Sequence, residues 1–204
     1  MYISRVYLAH TGVALGAKGA NQRLPLAWCL TAAWAYDLTG IGHWAPFSVL
    51  IAGFAFWLGR RRWGAAAGAV LAATVLSHDI LDLVVGLQIL PGGAYIGANL
   101  DTSSVLEYGL EVAVIVGGWL LYRATLPDDA RARPETYLPV ALLVLASTAA
   151  FWLTEPAVVD NHSPDPVRMA LLAIGIAATW TAIIWADRRA TPSAAGHPRP
   201  QRHR

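Results

Sequence analysis

Long apolar runs, each closed by arginines or by a polar loop, leave this chain few folds to choose from. They cover residues 24–41, 44–59, 63–86, 104–124, 137–153 and 167–186. A helix needs ~20 apolar residues to cross the ~30 Å of hydrocarbon in a bilayer, and several of these runs approach that length. Backbone groups inside lipid must be satisfied within the segment, which favours helices. The composition agrees, at 56% hydrophobic and 14% charged residues. The sequence therefore predicts an all-α fold, a polytopic transmembrane helical bundle of six spans. Residues 3–17 add a seventh if they cross. They are short for a span and read equally as a half-span or an interfacial helix. Residues 1–189 form the integral membrane domain on this reading. Residues 190–204, rich in Pro, Arg and His, have nothing to bury and are expected to be a disordered basic tail.

Charge placement orients the bundle. If the runs alternate, Lys18, Arg23, Arg60, Arg61, Arg62, Arg123, Arg131, Arg133, Arg188 and Arg189 share one side. The loops at 90–103 and 155–166 carry no Lys or Arg, and Arg168 is the lone exception. The positive-inside rule makes the arginine-rich side and the C-terminus cytoplasmic. Trp63 and Trp185 at inner ends, and Trp44 and Trp152 at outer ends, suit aromatic belts. Lys18 reads here as a solvated charge at a cytoplasmic end. Lys18 and Arg23 also arrive too early for a removable signal peptide. No basic stripe runs along a folded element, so nucleic acid is not an expected partner. The partner expected is membrane lipid, and the sequence is silent on oligomeric state. The single cysteine, Cys29, excludes an internal disulfide and reads as packing.

Against that background the segment Leu76-Ser77-His78-Asp79-Ile80-Leu81-Asp82 stands out. Ionisable side chains at mid-bilayer cost at least ~2.5–3.5 kcal/mol each unless they find partners. His78 and Asp82, four residues apart, share a helix face and suit two ligands of one metal ion. Asp79 is rotated off that face and suits a supporting role. His78 lies sixteen residues beyond Arg62, or ~24 Å of helix, and Asp37 fourteen beyond Arg23, or ~21 Å. Both therefore fall in the outer half of the bilayer, as do Glu107 and Glu111 at the outer end of their run. His10 and Asp37 are the candidates to complete a metal site with His78 and Asp82. The plainer alternative is that these groups hydrogen-bond between helices. Two Gly-x-x-x-Gly steps, at Gly12/Gly16 and Gly64/Gly68, allow close helix contact.

The order of these landmarks carries a resemblance. His10 is followed by Gly12, Gly16 and Lys18, then by Trp34-Ala35-Tyr36-Asp37-Leu38, then by the His78/Asp82 segment and by Leu90-Pro91-Gly92-Gly93. Over roughly residues 7–125 the chain resembles a family of small bacterial multi-spanning proteins related to the inner-membrane metal-dependent hydrolases. The resemblance implies a bacterial inner-membrane location and a divalent metal, zinc above all. The ligands it implies are His10, Asp37, His78 and Asp82. It also implies a second histidine near the third run; His43 matches the first of that pair, and Ser48 stands about where the second would be.

The function expected is a membrane-embedded metal-dependent hydrolase, acting on a lipid or lipid-linked ester or phosphoester. Asp79, His43 and Glu111 are the candidate acid/base or supporting groups. Two other readings use the same residues. One is a permease in which the acidic groups bind a proton or cation, although no repeat relates the two halves. The other is a non-catalytic membrane scaffold with a degenerate site.

Overall fold

The computed structural model describes residues 8–39, 45–85, 88–89, 95–96, 104–159 and 166–190. Nine helices carry the described chain: α1 (Ala9–Ala20), α2 (Leu26–Ala33), α3 (Ala35–Thr39), α4 (Ala45–Trp63), α5 (Ala65–Val85), α6 (Ser104–Ala124), α7 (Asp128–Arg131), α8 (Leu138–Val159) and α9 (Pro166–Ala190). A single 3-10 turn, Pro134–Thr136, precedes α8. The fold is all-α apart from a two-residue antiparallel ladder, β1 (Gln88–Ile89) with β2 (Tyr95–Ile96), in which Gln88 faces Ile96. The tail beyond residue 190 and His43 lie outside the described residues.

Two pairings dominate the packing, α4 on α5 and α1 on α6. The first is a tight hairpin. Gly64 adopts φ +98°, the left-handed conformation that commonly ends a helix, and its N–H donates to the Arg60 carbonyl at 3.2 Å. Beyond the turn, a Cβ on Gly68 would lie 2.5 Å from the Phe56 carbonyl oxygen, and one on Gly59 would lie 2.8 Å from Gly68 Cα. The close contact is therefore Gly59 with Gly68. Gly64, half of the second Gly-x-x-x-Gly step, instead makes the turn.

The second pairing is parallel and in constant register. The Leu8 N–H donates to Glu111, and the Gln22 side-chain amide donates to the Thr125 hydroxyl, each pair 103 residues apart. Between them, a Cβ on Gly12 would lie 2.7 Å from Ile115 Cα, and one on Gly19 would lie 2.9 Å from the Tyr122 nitrogen. A Cβ on Gly118 would overlap the Gly12 carbonyl oxygen. Gly12 thus makes the backbone contact that its sequence step allows.

After α1 the chain turns back through residues 21–25 into α2. The Lys18 ammonium is buried and donates to the carbonyls of Gln22 (2.9 Å) and Leu24 (3.0 Å). It holds the turn from inside, rather than standing in solvent as the sequence suggests. Tyr122 donates its hydroxyl to the buried Asp187 at 3.0 Å, tying α6 to α9. The run 24–41 is broken at Trp34, where φ −104° and ψ 11° separate α2 from α3.

Beside an ordinary apolar core, several ionisable groups are drawn inside and several large apolar side chains are left on the surface. Lys18, His78, Asp82, Glu107 and Glu111 are buried, while Val49, Leu50, Phe54, Leu121 and Ile174 lie on the surface. Arginines near the helix C-termini cover aromatic rings: Arg61 on Trp57 (4.8 Å), Arg62 on Trp28 (5.5 Å), Arg123 on Tyr137 (5.2 Å) and Arg189 on Trp185 (4.2 Å). Among the described residues, two helical stretches are long and apolar enough to cross a membrane, Ala65–Val84 and Val105–Ala124. That is fewer than the six or seven expected. Part of the reason is physical: α4 carries Arg60–Arg62 within its last turn, the run 24–41 is broken, and α1 has only twelve residues.

Close backbone contact makes α6 asymmetric. Gly118→Val should cost about 2–3 kcal/mol through overpacking against α1. Gly117→Val, where a Cβ meets nothing within 4 Å, should be nearly neutral. Thermal unfolding in detergent separates the two.

Candidate metal centre

Three helical segments deliver the site. His10 sits in the first turn of α1, Asp37 in α3 and His78 near the end of α5. Their ligand atoms all lie within 4.8 Å of one another. The two imidazoles are buried and the Asp37 carboxylate is exposed, so the trio is closed on one side and open on the other.

Each piece is placed by a local cause. The His10 and His78 rings stack, 4.0 Å between centroids and 7° from parallel. The Tyr36 ring packs on the other partner of that stack, 4.8 Å from His78. Trp34, at the helix break, meets His10 edge-on at 6.0 Å and Trp180 at 5.3 Å, and its indole N–H donates to Thr11 at 3.2 Å. The break matters because it starts a new helix two residues before Asp37, so this carboxylate need not follow the α2 face.

His78 Nδ1 lies 3.3 Å from the Ala33 carbonyl oxygen. A carbonyl only accepts, so Nδ1 carries the proton in that bond, and Nε2 keeps its lone pair. Asp82 Oδ2 stands 3.6 Å from the same Nε2. Asp82 is therefore beside His78, while the mutually close trio is completed by His10 and Asp37. Asp79 accepts a 2.8 Å hydrogen bond from the Ser48 hydroxyl, which joins α5 to α4. Ser48, noted in the sequence only for its position, thus reaches the residue next to His78. Glu111 accepts the Leu8 N–H at 2.8 Å, two residues before His10. It holds the start of α1, where helix N–H groups lack intrahelical partners.

Two imidazoles and a carboxylate are a donor set suited to zinc, and a catalytic zinc needs three protein ligands with one position left open. Ligand atoms on a tetrahedral zinc stand about 3.3 Å apart. The trio's ligand atoms, all within 4.8 Å of one another, are grouped on that scale. The donor chemistry suits a divalent ion. Sequence reasoning named Trp34 and Tyr36 only as landmarks beside Asp37, not as walls of the site, and missed the Ala33 carbonyl. Aromatic residues and backbone oxygens in an apolar run carry no signal that distinguishes a site wall from ordinary core.

No protein-family model, curated protein or solved structure matches this chain. The fold and site define it at the level of class: a helical protein with two buried histidines and an exposed aspartate able to hold a metal ion.

Asp82 stands at the Nε2 side of His78, where an ion would bind, so Asp82→Asn should weaken zinc binding by at least about 10–100-fold; unchanged binding would separate it from the site. Glu111→Ala strands the buried Leu8 N–H and should cost about 1–3 kcal/mol. Glu111→Gln keeps a carbonyl acceptor and should cost less. Zinc titration and thermal unfolding, respectively, read these out.

Proposed function

We propose that the chain is a membrane-embedded, metal-dependent hydrolase, with its site in the outer half of the bacterial inner membrane. The observation that carries this reading is the convergence of His10, Asp37 and His78 from three separate segments. A buried His/Asp group among apolar helices is costly to maintain without a task. The resemblance of the landmark order to the inner-membrane metal-dependent hydrolases points the same way.

Membrane location is supported by the two helices long and apolar enough to span, and by the large apolar side chains left on the surface. The arginine–aromatic pairs gather at the helix ends assigned to the cytoplasm, as interfacial anchors do. Since α1 runs parallel to α6, which the topology starts on the outer side, its N-terminal end lies outward too. His10 is then at the height of His78. Multiple crossings with a cytoplasmic C-terminus follow from the arginine distribution.

Bound there, a divalent ion supplies Lewis acidity to an ester or phosphoester oxygen. The chain does the rest. The Ala33 carbonyl fixes the His78 tautomer, which leaves Nε2, with the Asp82 carboxylate 3.6 Å away, on the side where an ion would bind. The Ser48 hydroxyl holds Asp79 beside them, and the exposed Asp37 leaves the approach open. Asp79, next to His78 in the chain, is our candidate for accepting a proton.

Detergent-purified protein should carry about one zinc per chain, the ligand count of a single site. His78→Ala should remove it while leaving helical content unchanged. Metal analysis beside circular dichroism checks this. Wild-type protein that stays metal-free after zinc loading would sink the reading.

A further inference from the structure

On one side of the bundle, α5 and α6 barely touch one another, and α1 forms the floor between them. The result is an open apolar groove of about 460 Å³, within the range of small-molecule sites. Along its floor from Gly12 to Ala20 it measures about 12 Å, at 1.5 Å per residue.

The groove lies in line with the candidate site on all three helices. On α1 the strip His10, Val13, Ala17, Ala20 follows the three- and four-residue spacing of one helix face. On α5 the strip Val70, Thr74, His78 does the same, and on α6 so does Glu111, Val114, Gly118, Leu121. Each strip has an ionisable residue at one end and groove lining below it. The α1 and α6 strips run away from the site, and the α5 strip runs toward it, so all three ionisable groups fall at the same end. A small apolar cluster, Ala9 and Leu81 with Val13, Leu110 and Val114, joins the two regions. The one hydroxyl on the wall, Thr74, is turned back to the Val70 carbonyl at 2.8 Å. Nothing polar is thus offered by the wall, and its width is set by glycines and alanines.

We propose that this groove holds the acyl chain of the substrate, whose ester or phosphoester group is thereby presented to His10, Asp37 and His78. The substrate class is a lipid with a hydrolysable headgroup linkage, and the inference rests on the metal-hydrolase reading above. In the proposed orientation the groove descends from the outer-half site toward the bilayer centre. That is the direction in which the chain of an outer-leaflet lipid extends from its headgroup. Lipid tails are as apolar as the wall, so the groove gains little from burial as such. Its contribution is shape and position: a chain seated along α1 fixes where the headgroup comes to rest.

The test uses full-length protein in nanodiscs, with lysophosphatidylglycerol carrying a photoactivatable diazirine on its chain. Crosslinks should concentrate on peptides spanning 70–74 and 114–121. Gly117→Leu, which fills the groove at a position with no packing neighbour within 4 Å, should cut that labelling about tenfold, as an ill-fitting methylene or two does in an apolar pocket. Bound zinc should be unchanged. Gly175→Leu, equally open but on α9, should alter neither. Stoichiometric zinc with labelling spread over all lipid-facing helices, or indifferent to Gly117→Leu, would overturn the lipid assignment and leave the metal reading standing. Groove labelling on protein that cannot retain zinc would overturn the metal reading, and the substrate assignment with it.

Discussion

The backbone-to-backbone approach of α1 and α6 is the constraint on which the rest of this structure depends. Glycine at 12, 19 and 118 lets the two helices lie closer than side chains would permit, in a parallel register that Glu111 fixes at one end and Thr125 at the other. A helix of twelve residues is marginal alone in water and short for a bilayer. Sunk against α6, it becomes a fixed platform. Its first turn then carries His10 to the face of His78, and its outward surface becomes the floor of a groove.

Several buried polar groups each hold a named partner. The Lys18 ammonium caps two carbonyls of the turn that ends α1. Asp187 receives Tyr122, and Asp79 receives Ser48. The first is local, but the other two join separate helices, α6 to α9 and α4 to α5, as backbone bonds join residues within one. Where water is scarce, an unsatisfied group costs several kcal/mol on the order of a whole helix contact. The arrangement is therefore hard to vary one residue at a time. The His/Asp group differs in having one open side at Asp37. That opening separates a site from a mere interhelical knot.

Much of the fold was legible before any coordinates. The runs beginning at residues 104 and 167 become α6 and α9 within a residue at their starts, because an uninterrupted apolar segment has a helix as its simplest solution. The break at Trp34 was not legible, since no Gly or Pro marks it. Neither was the role of Gly64, which sequence spacing assigns to helix contact and the turn claims instead. For the site, residue type and depth singled out His10, Asp37 and His78. Asp82 was paired with His78 by helix periodicity and does stand beside it.

By itself the sequence determined an all-α chain, the ends at which its arginines gather, and the few ionisable residues that apolar surroundings make expensive. These are local properties, set by side-chain chemistry and by the 3.6-residue period. Tertiary structure alone decided that α1 lies parallel to α6, that Lys18 turns inward, and that His10 stacks on His78 while Asp37 closes the group. Those outcomes depend on which helix face meets which, across separations of up to a hundred residues. Periodicity says that a face exists, but only packing chooses its partner.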